Sequence, residues 1–209
     1  MKIEPSGLYY PNKIARIYLD VLEDIMGKNG LNSVLHKASL EHLIDNYPPD
    51  NLKREFDFAD FSMLNQALDD TYGPRGGRVF ALRGGKAAVK AGLESFGAAV
   101  GVGGLALKVL PVQAKLRVGL KGMAQIFSRF SDQTSEVEEK EDRFVYIISK
   151  CPVCWGRHAD RPICHGAVGL LQGGTHWACS GKDFKVVQTQ CKAIGHEDCR
   201  FDIFKESLN

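Results

Sequence analysis

The residues best suited to chemistry are six cysteines, all in the last third of the chain. Residues 151–166 are CPVCWGRHADRPICHG and residues 191–203 are CKAIGHEDCRFDI, and no cysteine precedes them. Thiolates are soft ligands suited to zinc or iron–sulfur clusters, and a structural zinc site takes four ligands in a tetrahedron. Five cysteines in the pattern C-x2-C-x9-C-x26-C-x7-C are the candidate metal ligands: Cys151, Cys154, Cys164, Cys191 and Cys199.

Other ligands and other roles stay open for this cysteine-rich segment. Cys179 is a sixth thiol, and imidazole side chains are available as substitute ligands or as supporting donors. The four histidines concerned are His158, His165, His176 and His196. The cysteines are alternatively small buried hydrophobic residues, or the CPVC motif carries redox chemistry. The late position of CPVC and the further cysteines around it fit a thioredoxin-type motif poorly.

Short strands and one helix are predicted to position these cysteines. The segment 131–150 predicts a hairpin with a charged tip at 138–142 and a buried strand, FVYII. A helix is predicted over 166–174, and the segments FKVVQTQC and CRFDIF predict two strands joined by KAIGHED. Because a hairpin brings its two ends together, we expect the cysteines at these ends to meet near the start of the helix.

The N-terminal part predicts helices. Apolar residues recur at helical spacing over 13–26, with Asn12 as the expected cap and Gly27 as the expected end. A second helix is predicted over 31–45, where YPPD then stops it.

Three further features lie between the second helix and the hairpin. A helix is predicted after Asp60, ending at Gly73-Pro74. The glycine pairs at 76–77 and 84–85 predict turns, with a bend of the chain or a close approach to a ligand as the alternatives. A long helix is predicted over Pro111–Phe130. Helices first and strands late predict an α+β fold, with N-terminal helices packed on a twisted antiparallel sheet and a C-terminal metal-stapled hairpin. We expect one domain over 1–209, mainly helical over 1–130, with the sheet and the cysteine cluster over 131–209.

Composition indicates an ordinary soluble chain. Hydrophobic residues are 44% and charged residues 25%, and 27 basic residues against 25 acidic ones give no basis for direct nucleic-acid binding. The apolar stretch 91–110 has only 13 uncharged residues in a row, at 95–107, which is short of the ~20 that span a bilayer. We expect a cytoplasmic protein with reduced cysteines, no secretory signal and no transmembrane segment.

The C-terminal third resembles a known family. RPICHGAVGLLQGGTHW followed by VVQTQCKAIGHEDCRFDI is similar to the signature of the 4-vinyl reductase domain family of small-molecule and hydrocarbon-binding proteins. The resemblance covers about residues 130–204. The matching residues are Cys164, Gly169, Gly173, Cys191, Gly195, Cys199 and Phe201.

The resemblance implies a fold shared with the Bet-type subunits of Golgi transport, commonly a homodimer around an apolar cavity. In sensor domains of aromatic-responsive activators this motif binds zinc through three cysteines, which correspond to Cys164, Cys191 and Cys199, and a glutamate. Gln188 stands at the glutamate position here, and an amide is a poor zinc ligand. We therefore expect the fourth ligand to be Cys154 or Cys151, with an iron–sulfur cluster as the alternative to zinc.

The resulting functional hypothesis is a metal-containing domain that binds a small apolar or aromatic molecule, as a sensor or carrier. We expect its cavity to be lined by the stretch 97–110, by the helix around 116–127 and by aromatic side chains. The candidate ligand-binding residues are Phe80, Phe96, Trp155 and Trp177. No catalytic residues and no dinucleotide fingerprint are predicted, and any output requires a separate signalling or biosynthetic partner.

Two other functions are kept. One is an enzyme or accessory factor of tetrapyrrole metabolism, such as vinyl reduction in bacteriochlorophyll synthesis, which the family name implies. The other is an assembly protein that uses the fold as a platform for a dimer.

Overall fold

The computed structural model describes residues 3–97 and 109–209 and has the predicted α+β class, in which helices pack against an antiparallel sheet. The helices and strands, in chain order, are β1 (Tyr9–Pro11), α1 (Asn12–Lys37), β2 (Arg54–Asp57), α2 (Phe58–Phe96), α3 (Val112–Phe130), β3 (Ser135–Glu139), β4 (Arg143–Ile148), α4 (His165–Ala178), β5 (Phe184–Gln190) and β6 (Cys199–Ser207). Short 3-10 turns of the described part of the chain include Glu41–Leu43, Pro152–Cys154 and Lys192–Ile194.

The main sheet has four antiparallel strands in the order β3-β4-β6-β5. The predicted hairpin is confirmed, because β3 and β4 are joined through the charged tip, and so is the predicted pair β5 and β6. A second sheet, in which the short strands β1 and β2 pair antiparallel, is not predicted by the sequence pattern. Strand β1 has only three residues and ends in a proline, too little pattern to indicate a strand.

Two glycines interrupt long helices in the same way. Gly27 in α1 has φ 74° and ψ 162°, and Gly73 in α2 has φ 71° and ψ 164°. This left-handed region is open to glycine without the Cβ penalty of other residues, so each helix breaks there. The sequence predicts that a helix ends at each of these glycines, but the chain resumes helical geometry beyond both. The predicted helix 31–45 is wrong at its end, because α1 stops at Lys37 and only a 3-10 turn follows.

The starts of α1 and α2 differ from the prediction by a few residues. Asn12 is the first residue of α1 rather than its cap, and its side-chain amide donates to the Oδ1 atom of Asn51 at 3.1 Å. Helix α2 begins before Asp60, because Asp57 is its cap and accepts from the backbone N–H of Ala59 at 2.7 Å.

The predicted turns at the glycine pairs 76–77 and 84–85 are wrong, since α2 runs through both. The pair 84–85 lies where α2 crosses α4 so closely that the two backbones are in contact. A Cβ atom on Gly85 would lie 2.0 Å from the carbonyl oxygen of Gly166, and one on Gly169 would lie 2.1 Å from a carbonyl oxygen of α2. The missing side chains therefore let the two helices touch, which places the first turns of α4 against the middle of α2.

The helix predicted over 111–130 is confirmed as α3, which packs on α4 and on β3. The core lies between the helices and the sheet face that carries Phe144, Tyr146 and Ile148. Of the apolar stretch 91–110, residues 98–108 lie outside the described residues. Among the residues that are described, no helix is long and apolar enough to cross a membrane.

Candidate metal centre

Five cysteines meet at one end of the four-stranded sheet. Cys151 follows β4, Cys154 ends the 3-10 turn after it, Cys164 precedes the first turn of α4, and Cys191 and Cys199 flank the connection between β5 and β6. Pairing of β4 with β6 sets Cys199 opposite the last residue of β4. The sheet register thus brings the CxxC segment to the β5–β6 connection, as the sequence predicted.

Four of these sulfurs lie close enough to share one ion. The Sγ atoms of Cys151, Cys154, Cys164 and Cys199 all lie within 4.8 Å of one another, and all four residues are buried. Three of the separations are 3.7 Å for Cys151–Cys164, 3.5 Å for Cys154–Cys199 and 3.8 Å for Cys164–Cys199. A tetrahedral ion with metal–sulfur bonds of ~2.3 Å separates its sulfurs by about 3.8 Å. This group can therefore hold a metal ion.

Cys191 lies at the edge of this group. Its Sγ atom is 3.7 Å from that of Cys164, but it does not belong to the mutually close four. The backbone N–H that follows it, on Lys192, donates to the sulfur of Cys199 at 3.4 Å. The structure therefore brings both cysteines of the CxxC motif into the group and leaves Cys191 as a fifth thiol beside it.

Gln188, at the position that the family resemblance assigns to a glutamate ligand, hydrogen-bonds to backbone groups. Its Oε1 atom accepts from the backbone N–H of Cys164 at 2.9 Å, and its Nε2 atom donates to the carbonyl oxygen of Gln190 at 3.1 Å. The amide thus fixes the orientation of Cys164 from the neighbouring strand β5.

The thiols share their protons unequally. Hydrogen bonds from Cys151 and from the other nearby thiols hold the pKa of Cys154 far below its usual range, whereas burial raises the pKa of Cys164. A lowered thiol pKa suits a metal–thiolate site, because a bound cation replaces the protons of its ligands. Cys164 also lies at the N-terminus of α4, where the helix dipole favours negative charge.

The histidines do not join the sulfurs. The group that can hold a metal contains only cysteines among the described residues. The Nδ1 atom of His176 lies 2.9 Å from Asp183, and that of His196 lies 3.2 Å from the carbonyl oxygen of Cys191. Burial lowers the pKa of His165 to about 4, helped by nearby arginine charges, which keeps its imidazole neutral.

Cys179 is separate from the cluster. It is buried at the end of α4, where its thiol donates to the carbonyl oxygen of Val112 at 3.8 Å. Burial raises the pKa of Cys179 to about 11, so it remains a protonated thiol at neutral pH. Its role is packing.

Arg157 joins the cysteine segment to α2. Its guanidinium lies 2.8 Å from the carboxylate of Asp69, donates to Gln66 at 2.9 Å and donates to the carbonyl oxygen of Val153 at 3.3 Å. The side chain is 4% exposed, so these bonds replace its water contacts. The turn that carries Cys154 is thereby held against the helical layer.

A cavity of about 120 Å³ lies between the helices and β4, next to the cysteines. Its wall includes Val153, which stands between the two cysteines of the CxxC motif, and Gly166 and Ala167, which follow Cys164. The cluster and the cavity therefore share stretches of backbone, and whatever orders the cysteines also orders this side of the cavity.

The predicted ligand-binding residues divide into two pairs. Phe96 and Trp177 line the cavity. Phe80 instead packs on Tyr72, with ring centroids 4.5 Å apart, and Trp155 packs on Phe58 at 6.4 Å. The expected wall from the Gly-rich stretch 97–110 falls on residues 98–108, outside the described residues.

The cavity wall also carries polar residues that are not among the predicted ligand-binding residues. They are Tyr10, Tyr18, Gln133 and Tyr146. The strand FVYII was recognised, and its alternation already places Tyr146 on the same face as Phe144 and Ile148. That signal could have identified a tyrosine facing the core.

Known structures resemble this chain over nearly its whole length, and the likeness shows the fold. An oxygen-binding H-NOX domain related to soluble guanylate cyclases, solved as its oxygen complex, has 12% identity, a TM-score of 0.56 and 95% coverage of both chains. An Fe(II) unliganded H-NOX protein from K. algicida has 16% identity and a TM-score of 0.57, covering 95% of this chain and 98% of that one. An H-NOX protein from S. oneidensis in the Fe(II)NO state has 15% identity and a TM-score of 0.53, covering 92% and 98%.

The sequence comparisons identify the C-terminal part. No curated protein matches the chain. Residues 144–205 match the model of the 4-vinyl reductase domain, and this segment contains all five clustered cysteines. The segment from β4 to β6 is therefore similar to the 4-vinyl reductase domain, the family that the cysteine and glycine pattern resembles.

Proposed function

We propose that this chain is a ligand-binding sensor or carrier domain, in which a cavity takes a small apolar or aromatic molecule and a thiolate-bound zinc ion fixes one wall. The observation that carries the proposal is the shared backbone of the two sites. Val153 and Ala167 belong to the cavity wall and lie within three residues of cysteines in the cluster. Metal binding energy is folding energy in such a site, so the ion stabilises the cavity.

The cavity wall favours an apolar ligand of modest size. Its aliphatic and aromatic side chains come from α1 to α4, from β1 and β4 and from the turn with Val153, and its described wall contains no charged side chain. A dry engineered cavity of roughly 150 Å³ is known to bind benzene, so about 120 Å³ suits one small ring or a short chain.

The sulfur spacing favours one zinc ion over an iron–sulfur cluster. In a cluster with several irons the cysteines bind different metal atoms at its periphery, which spreads their sulfurs further apart than ligands of a single ion. Separations of 3.5 to 3.8 Å match the edges of one tetrahedron. The ion then has no open coordination position, and its role is structural.

Haem, the group studied in the H-NOX family, does not fit the cavity of this chain. No histidine, lysine or arginine lines the described wall, so it offers neither the common iron ligand nor a cation for the propionates. The cavity is also smaller than the roughly 300–1,000 Å³ of pockets for drug-sized ligands. The same size argument disfavours the tetrapyrrole-related alternative.

Benzene is expected to bind wild-type protein at one site and to raise its melting temperature as ligand concentration rises, by mass action. A Gly92→Leu variant is expected to lose this binding, because Gly92 lines the cavity and a Cβ there has no heavy atom within 4 Å, leaving space for the new side chain. Calorimetric titration and thermal melts in benzene check both results.

Ala87→Leu is the matched control, since Ala87 is exposed on the same helix and does not line the cavity. It is expected to bind benzene like wild type. Absence of benzene binding to wild type, or equal binding to the Gly92→Leu variant, contradicts the cavity as the ligand site. The homodimer, the separate output partner and the cytoplasmic location stay predictions.

A further inference from the structure

Helix α2 carries a one-sided set of basic side chains. Between Gly73 and Leu93 the helix has five basic residues and no acidic one, and all five are exposed. At 3.6 residues per turn they fall within an arc of about 140° around the helix axis. We call this arc the cation face of α2, and its basic residues are Arg75, Arg78, Arg83, Lys86 and Lys90.

The protein itself does not neutralise the cation face. Among the described residues, Lys86 has one ion pair, with its Nζ atom 4.0 Å from the Oδ1 atom of Asp183, and the other four cations have none. Of the 27 basic residues, the 22 outside this face stand against all 25 acidic residues of the chain. Positive charge is therefore concentrated on one helix, and this helix attracts a surface with many negative charges.

Trp177 reaches from the cavity to the protein surface. Its side chain lines the cavity and is 40% exposed, and no other large apolar side chain of the described wall is as exposed. The cavity therefore opens at this residue. Tryptophan is enriched where proteins meet the lipid–water boundary, because its ring is apolar and its N–H group is polar.

The opening at Trp177 adjoins the cation face. A Cβ atom on Gly173 would lie 2.7 Å from the carbonyl oxygen of Lys86, so α4 touches α2 there. The two helices run in the same direction, because Gly169, one turn earlier on α4, meets α2 one turn earlier as well. One turn further along each helix, Trp177 lies beside Lys90.

An anionic lipid surface fits these features better than a nucleic acid does. The whole chain has a formal net charge of only +2, whereas nucleic-acid-binding domains are strongly basic. The cation face has no aromatic side chain on which a base could stack, and it includes an aliphatic residue, Val79, which is 51% exposed. Small apolar molecules also accumulate in a bilayer, since water excludes them.

We infer that the cation face of α2 binds an anionic lipid surface and that the opening at Trp177 faces this surface, so that apolar molecules pass from the bilayer into the cavity. The binding of lipid depends only on the charges and on the exposed Trp177. The passage of molecules rests on the proposed function of the cavity as a ligand site.

The test measures by flotation how the purified chain binds two kinds of vesicle, one of phosphatidylcholine alone and one that also contains phosphatidylglycerol. Wild type is expected to bind only the vesicles with phosphatidylglycerol and to be released as salt is added. The triple variant Arg78→Gln, Arg83→Gln and Lys90→Gln is expected to bind them about a hundredfold more weakly, at about fivefold for each cation lost.

The matched control loses the same charge at exposed lysines outside α2 that have no ion pair within the described residues. It is the triple variant Lys37→Gln, Lys53→Gln and Lys150→Gln, and it is expected to bind close to wild type. Equal weakening of both triple variants overturns the inference, because net charge alone would then explain binding. Wild type that ignores the anionic vesicles also overturns it, and salt-dependent binding of duplex DNA in that case assigns the face to nucleic acid.

Trp177 reports whether the opening faces the bilayer. The emission that wild type has and a Trp177→Phe variant lacks is expected to be quenched by brominated lipids in the anionic vesicles. Bound protein without this quenching overturns the orientation of the opening. Vesicle binding without benzene binding refutes the proposed function and leaves the lipid surface standing, whereas benzene binding without vesicle binding refutes only this inference.

Discussion

A Cys164→Ser variant is expected to lose its bound metal and the cooperative folding of the segment from β4 to β6. The Cys164 sulfur lies 3.7 Å from Cys151, 3.7 Å from Cys191 and 3.8 Å from Cys199, so it is the common neighbour of the cluster. Structural zinc sites contribute about 10–16 kcal/mol in small domains, and a serine cannot replace a thiolate ligand. Metal content after gel filtration and circular-dichroism melts measure the two losses.

Cys179→Ser is the matched control, because it makes the same atomic change at a buried cysteine outside the cluster. We expect it to keep its metal and to lose stability only by the cost of burying a hydroxyl, on the order of 1–3 kcal/mol. If the Cys164→Ser variant retains one metal ion per chain and melts like the control, the thiolate site is not what holds this segment together.

A Cys191→Ser variant separates the two possible ligand sets. If the four mutually close sulfurs are the ligands, this variant keeps one metal ion per chain, because Cys191 lies outside that group. If the set carried over from the related zinc-binding sensors applies, the variant loses its metal like Cys164→Ser.

A Gly85→Ala variant is expected to lose about 3 kcal/mol or more of its free energy of unfolding. The new methyl carbon would lie 2.0 Å from the carbonyl oxygen of Gly166 and 2.8 Å from the backbone nitrogen of Leu170. Both contacts are with the backbone of α4, so no side-chain rotation relieves them, and the helices must separate. Urea unfolding gives the change in free energy.

Gly92→Ala makes the same change on the same helix where a Cβ meets no heavy atom within 4 Å. It is expected to be neutral or to stabilise the protein by up to about 1 kcal/mol, the helix-propensity difference between alanine and glycine. Equal stability of the Gly85→Ala and Gly92→Ala variants is the result that contradicts backbone contact between α2 and α4.

The local sequence pattern was sufficient to predict the strands and the helix around the cysteines. The patterns of FVYII and CRFDIF predict β4 and β6, and both expected hairpins form. The pairing of β4 with β6, which brings Cys154 and Cys199 together with sulfurs 3.5 Å apart, is not local and was not predicted. Antiparallel pairing of neighbouring strands depends on residues close in sequence, so it can be anticipated from turns and periodicity.

The helix crossing could not be predicted from local pattern. A glycine pair such as 84–85 usually indicates a turn, and only the position of α4, about 80 residues later, shows that Gly85 permits close packing instead. Most residues that line the cavity could not be predicted, for the same reason. Its wall combines residues from β1 to α4, including Tyr10 and Tyr146, which no short window of sequence brings together.

The most direct test of the account is the metal content and absorption spectrum of the purified chain. Four thiolates at the spacing of one tetrahedron predict one zinc ion per chain and no absorption band in the visible range. A protein without metal that is nevertheless folded, or a brown protein containing iron and sulfide, would contradict it.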